Sequence, residues 1–355
     1  MGRMLKLLMS ICAGTILAGS AHAAAAAAAD ASHLSIMTYN VQGLPWPLAS
    51  NRPAAMIAIA AQLRIMRLEH RQPDVVALQE AFGDEAKKIG RAAGYRYMAV
   101  GPGIADRSTI ATSAADHKFL AAGSYLSGEG MGKRVDSGLA IFSDHPILAV
   151  RRIVYPVCAG YDCLANKGAL AATILAPGGR KVTVLDTHLN SGRSSGVSKP
   201  RRRYAHGRQL AQVSAFAAAI EAAGEPLLLA GDFNVGHDPV RRRNFSNWLG
   251  SKQGALEVAS TACRVDPSCR FVQTPSLAES LMRAKDWLLY RASAKVGIRP
   301  TAITAPFGRD RNGAMLSDHI GLVARYLIEP LGVVKNRIAR RSTLPTTHAR
   351  ALRAA

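Results

Sequence analysis

Short apolar runs that end in a polar residue recur along the chain, and they restrict it to a fold that stacks strands. β-type segments rich in Val, Ile and Leu are expected at residues 34–41, 74–78, 137–142, 169–175, 181–187, 226–230, 286–290 and 320–327. Helical stretches are expected at 53–69 and 200–223. The second puts Leu210, Val213, Ala217 and Ile220 on one face, and Gly224 stops it. Strands in this number with helices between them imply a layered α/β arrangement, two packed sheets with helices outside. No shift in composition marks a linker before residue 330, so residues 34–330 are expected to form one domain.

Hydrophobic residues make up 48% and charged residues 19%, which excludes a wholly disordered chain. Arg3 and Lys6, an apolar run over 7–17 and Ala21-His22-Ala23 have the form of an export signal over residues 1–23. An Ala-rich leader over 24–33 follows, and a periplasmic or secreted location is expected. Four cysteines remain beyond the signal. Of their three pairings the local ones are preferred, Cys158 with Cys163 and Cys263 with Cys269, since neither pair has the spacing of a zinc site. Lys and Arg number 45 against 24 Asp and Glu, a formal charge of +21. Residues 331–355 carry Lys335, Arg337, Arg340, Arg341, Arg350 and Arg353 with no acid, a basic tail. Arg201 to Arg203 and Arg241 to Arg243, with this tail, are expected to form a positive patch for an anionic lipid surface or a nucleic acid backbone.

Polar side chains stand where the strands end: Asn40, Glu80, His188, Asp232 and Asn234. Asp286 heads a strand, and Ser317-Asp318-His319 precede the last one. An Asn or Asp after a strand is by itself more often a turn former. Five strand ends delivering oxygen or imidazole donors, each behind a rigid apolar run, instead suggest a site. The oxygen-rich set suits a hard cation, Mg²⁺ or Mn²⁺. A histidine beside a carboxylate can take a proton from water near neutral pH, and Asp286 is the expected orienter of His319.

The ordered series Thr38-Tyr39-Asn40-Val41, Leu78-Gln79-Glu80, Ser137 to Ser143, Thr187-His188-Leu189, Gly231-Asp232-Phe233-Asn234 and Ser317-Asp318-His319 resembles the endonuclease/exonuclease/phosphatase superfamily over residues 34–327. The resemblance implies a four-layered α/β sandwich that cleaves phosphoesters with a divalent metal. It implies that Glu80 binds the metal, helped by Asn40 and Asp318, and that His319, oriented by Asp286, activates the attacking water. Asp232 and Asn234 match the pair that positions this water and stabilises the pentacoordinate phosphorus, and His188 matches a phosphate-binding histidine.

Leu78-Gln79-Glu80-Ala81-Phe82, Ser137 to Ser143 followed by His145-Pro146-Ile147, and Asn166-Lys167-Gly168-Ala169 look like the secreted neutral sphingomyelinases. In that branch a polar residue four after the metal-binding Glu assists, and Asp84 stands there. The chain departs from the branch in having no adjacent Trp or Phe pair at a hairpin tip that would enter a bilayer. A phospholipid phosphodiesterase, acting on a lipid such as sphingomyelin, ranks above a DNase-like exported nuclease. An inactive module that binds anionic surfaces is disfavoured, because no motif position holds an inert residue.

Overall fold

Side-chain alternation sets the layers of the fold. A computed structural model describes residues 32–44, 49–251 and 256–331. The expected export signal, most of the leader and nearly all of the basic tail lie outside the described residues. In chain order the elements are β1 (Ser32–Asn40), α1 (Arg52–Leu68), β2 (Val75–Gln79), α2 (Gly83–Ala92), β3 (Tyr97–Val100), α3 (Ala114–Ala121) and β4 (Ala140–Ser143). There follow β5 (Ile147–Val154), β6 (Gly168–Ala176), β7 (Arg180–His188), α4 (Lys199–Ala222), β8 (Leu227–Asp232) and α5 (Pro239–Leu249). The last are β9 (Glu257–Val258), α6 (Ala259–Val265), β10 (Arg270–Phe271), α7 (Pro275–Arg283), β11 (Asp286–Arg291), β12 (Val296–Phe307) and β13 (Gly321–Pro330).

One sheet runs β10-β12-β13-β1-β2-β4-β3 and the other β5-β6-β7-β8-β11-β9; both are mixed. In β1, Leu34 and Ile36 face one way, Met37 and Tyr39 the other, and all four are buried. A strand apolar on both sides has to be covered on both sides. Leu34 and Ile36 join Val184, Leu228, Ala230 and Ala324 in a core between the two sheets. Met37 and Leu78 pack outward onto Ile59 and Leu63 of α1 and Ile89 of α2. On the far side Leu185 and Leu229 pack onto Val213 and Ile220 of α4 and Phe245 of α5. The result is the expected four-layered α/β sandwich.

α4 buries the expected stripe and ends where Gly224 adopts φ +74°, its amide bonded to Glu221 O at 2.7 Å. Both local disulfides are present, Cys158–Cys163 and Cys263–Cys269. β1 begins two residues inside the expected leader, because Ser32 and His33 pair with Ile328 and Leu327 of β13. Strands β3, β5 and β12 do not follow from the apolar-run pattern. β5 is an edge strand broken by Arg151 and Arg152, and β12 carries Pro300 and Pro306, which speak against a paired strand. Register shifts between Pro300 and Ala302 and between Thr304 and Phe307 absorb those prolines as bulges.

Because the sheets touch face to face, their inner side chains have no room to rearrange. Leu228→Ala, at a side chain 1% exposed in that layer, is expected to lower the unfolding free energy by about 2–5 kcal/mol, read from the urea midpoint at unchanged slope.

Candidate active site

Pairing register assembles the site. Across the second sheet His188 of β7 lies opposite Asp232 of β8, and Asp232 lies opposite Asp286 of β11. In the first sheet Asn40 lies opposite Gln79, and Glu80 follows directly. His319 comes from the loop that enters β13. One step deeper is a polar layer of Thr38, Gln79 and Asp186. Gln79 Nε2 donates to Asp186 Oδ1 at 2.7 Å, and burial raises the Asp186 carboxyl well above the usual carboxylate range.

The turns after β2 and β8 hold unusual backbone. Glu80 (φ 53°) and Asn234 (φ 49°) are non-glycine residues in the left-handed region, a conformation that costs about 1–3 kcal/mol. Asp232 Oδ1 accepts from the Asn234 amide at 2.9 Å and fixes the second turn. Gly231 is required by close approach of the neighbouring strand, since a Cβ there would lie 2.4 Å from Thr187 O.

Asn40 joins the two sheets. Its Nδ2 donates to Glu80 Oε1 at 3.0 Å and to Asp232 Oδ2 at 3.2 Å, while its Oδ1 accepts from the Gln42 amide at 2.9 Å. Ser317 Oγ donates to Asn40 O at 2.6 Å and accepts from the His319 amide at 3.2 Å, which ties the last loop to the end of β1. Asn234 Nδ2 is turned to Leu189 O at 3.0 Å.

The two histidines are electrostatic opposites. His319 Nδ1 lies 2.8 Å from Asp286 Oδ2, and its Nε2 lies 3.7 Å from Asp232 Oδ2. Burial alone would lower its pKa, but Asp286 and Asp232 overcome that and push it up to about 9. His188 Nε2 lies 3.5 Å from Asp232 Oδ2, yet burial and then the Lys167 ammonium hold it well below the usual value. The Glu80 carboxyl is raised by burial, with Asp232 adding to the rise against Asn40 and Lys167.

Glu80, Asp232 and Asp286 thus crowd three acids beside one protonated ring. Donor atoms of Asp232, Asp286 and His319 come within 4.8 Å of one another, close enough to share a metal ion. The chemistry of the donors, carboxylate oxygens with an amide and imidazole, fits a hard divalent cation.

Asp318 and Asp84 are not brought in. Side chains of successive residues point different ways, so with His319 inward the Asp318 carboxylate is exposed, acting electrostatically on Arg52, while its backbone amide donates to Gln42 Oε1 at 3.2 Å. Asp84 is exposed on the first turn of α2. The arginine patch is also corrected. Arg201 Nε is bound to Glu129 Oε1 at 2.7 Å and Arg203 Nε to Asp238 at 2.9 Å. Arg241, 3% exposed, donates to the carbonyls of Asn190, Asn234 and Ser191. Buried Glu129, half-buried Asp238 and loop carbonyls engage those charges, and Arg243 alone of Arg241 to Arg243 is exposed.

Lys167 belongs to the site although only its tetrapeptide stood out in the sequence. Its ammonium, 5% exposed, pairs with Asp162 and donates to Leu189 O at 3.1 Å and to His188 Nε2 at 3.2 Å. Its three protons are therefore matched by three acceptors. The available signal was its place directly before β6, whose first residues pair with the end of β7.

Residues 37–346 match the model of the Endonuclease/Exonuclease/phosphatase family, and the chain belongs to that family. No curated protein matches it in sequence. Among solved structures it is similar to sphingomyelinase C from Streptomyces griseocarneus (23% identity, TM-score 0.54, 83% of this chain and 99% of that one). A mutant beta toxin from Staphylococcus aureus with bound magnesium ions is similar at 18% identity and TM-score 0.53, covering 82% of this chain and 99% of that one. So is D. rerio TDP2 in complex with a single-strand DNA product, at 17% identity and TM-score 0.52 over 83% and 99%.

The shift of His319 has a testable sign. Its folded pKa of about 9 exceeds the ordinary 6.5, so its contribution to stability is full below pH 6.5 and is lost as pH rises through 9. In protein without added metal, NMR of the His319 ring is expected to titrate near pH 9, and Asp286→Asn is expected to bring that midpoint down by at least one pH unit, roughly.

Proposed function

We propose that the chain is an exported, divalent-metal-dependent phosphodiesterase that cleaves a phosphoester by in-line attack of water, with a phospholipid such as sphingomyelin as substrate. The single observation that carries the reading is the His319–Asp286 contact, at 2.8 Å, beside Asp232 and Asn40 in one row across two sheets.

Glu80 and Asn40 would hold the ion. When bound, Mg²⁺ or Mn²⁺ there supplies positive charge against the charge that develops on the non-bridging oxygens and against the proton on His319. Asp286 keeps the Nδ1 proton on its own side, so neutral His319 presents a bare Nε2 to water and takes its proton. Asp232 and Asn234 position that water. His188, kept neutral by burial, and Lys167 face the phosphate, the lysine as a fixed cation whose hydrogen bonds are already oriented. Water is the nucleophile, so no covalent enzyme intermediate forms.

The resemblance to sphingomyelinase C and the two disulfides support an exported lipid enzyme. The similarity to a TDP2 bound to single-strand DNA product supports a nuclease as the second reading. The deciding assay sets sphingomyelin vesicles, anionic phospholipid vesicles and plasmid DNA side by side, with Mg²⁺ and with chelator. Metal-dependent release of phosphocholine is expected, and DNA cleavage without lipid turnover would establish the nuclease. His319→Ala is expected to lower kcat about 10²–10⁴-fold. Glu80→Gln is expected to abolish the response to Mg²⁺, and a Glu80→Gln enzyme with normal Mg²⁺ dependence would remove Glu80 from the metal site.

A further inference from the structure

The loops around the site leave the sheets at one end. β3 ends at Val100 opposite Ala140 of β4, β5 ends at Val154 opposite Gly168 of β6, and β7 ends at His188. The connections 101–139, 155–167 and 189–198 therefore emerge beside the catalytic row. They are joined to one another through Glu129, a carboxylate 5% exposed that accepts from Ser124 N at 2.8 Å, Gly160 N at 2.9 Å and Arg201 Nε at 2.7 Å. Tyr161 packs against the turns at Gly128 and Gly196.

On this rigid base three apolar side chains stand in water. Leu126 is 91% exposed, Tyr125 63% and Tyr161 53%. Around them positive charge is in excess. In the connection 101–139 Asp116 and Glu129 are buried and bound to Arg208 and Arg201, Asp136 is paired with Lys87, and Asp106 is the one exposed acid. Between 155 and 166 the acid is Asp162, also buried, and residues 189–203 hold none. Lys118, Arg134 and Arg193 are exposed on these connections, and Lys199 on the first turn of α4. An exposed aliphatic tip ringed by cations fits a membrane interface, where the tip enters hydrocarbon and the cations meet headgroups. Single-stranded nucleic acid would call for aromatic platforms, and the most exposed residue here is a leucine.

We propose that Tyr125, Leu126 and Tyr161 form an apex that enters the interface of an anionic phospholipid bilayer, held there by Lys118, Arg134, Arg193 and Lys199. The phosphodiesterase reading supplies the reason for apex and site to share one end, and binding is measured apart from turnover.

The test is co-sedimentation of the full chain with phosphatidylcholine vesicles containing or lacking phosphatidylserine, alongside hydrolysis of the soluble diester bis(4-nitrophenyl) phosphate. The wild type is expected to partition onto the anionic vesicles. Tyr125→Ser with Leu126→Ser is expected to weaken that partition roughly tenfold or more and to leave diester hydrolysis within about twofold. Leu68→Ser, at a leucine 75% exposed at the opposite end of the molecule, is expected to change neither. Lys118→Glu with Arg134→Glu leaves the tip intact and is expected to weaken partition as well, with a reduced dependence on salt. Unchanged binding by the tip variant, equal loss in Leu68→Ser, or capture of a single-stranded oligonucleotide in place of vesicles would each overturn the proposal. A wild type that binds vesicles but hydrolyses no diester would overturn the phosphodiesterase reading and leave the apex standing.

Discussion

A dry contact between two sheets is what the site depends on. Every second side chain of β1, β2, β7, β8 and β11 faces that contact, and along each strand the series runs from Leu, Ile or Val to a polar residue at the open end. Thr38, Gln79 and Asp186 form the step between the apolar core and Asn40, His188 and Asp232. Low polarisability behind the site keeps each charge from being screened, so neighbours only a few ångströms apart act strongly on one another. The same burial that would make both histidines reluctant to protonate is overruled at His319 by two carboxylates and reinforced at His188 by Lys167. One environment thereby sets two rings on opposite sides of the ordinary imidazole value.

What could be read from the sequence follows the same physics. Asn40, Glu80, His188 and Asp232 each follow an apolar run, and a strand that must be buried carries its last residue to a fixed place. Asp286 and His319 were legible for the matching reason, being at or just before strand starts. Lys167 and Asp162 have no such run before them. They meet because a disulfide-closed turn, Cys158–Cys163, bends back on β6 and β7, and no local pattern encodes that return. Asp318 and Asp84 show the opposite failure: proximity in sequence to a site residue does not decide which way a side chain points. The bulges of β12 hid that strand, since its prolines are tolerated only where the register slips.

Net charge proved a poor map of the surface. The arginines of α4 and α5 lie close in sequence and looked like a patch, but Glu129, Asp238 and loop carbonyls draw most of them inward, where they bind connecting segments together. The outward cations around the apex, Lys118, Arg134, Arg193 and Lys199, are scattered singly over residues 101–139 and 189–199, where Asp116 and Glu129 are buried and Asp106 is the exposed acid. Local density of Arg in a sequence therefore says less about an electrostatic surface than the whereabouts of the acids.

The exposed apex and the Lys167–His188 pair share one structural part. Gly160 donates its amide to Glu129, which holds the turn bearing Tyr125 and Leu126, and two residues later Asp162 binds Lys167 beside His188. Tyr161 lies between these two anchors and projects outward. A single short turn, closed by a disulfide, thus fixes how far the exposed tip stands from Lys167 and His188. A bilayer that seats the tip would meet the site at a depth set by that turn.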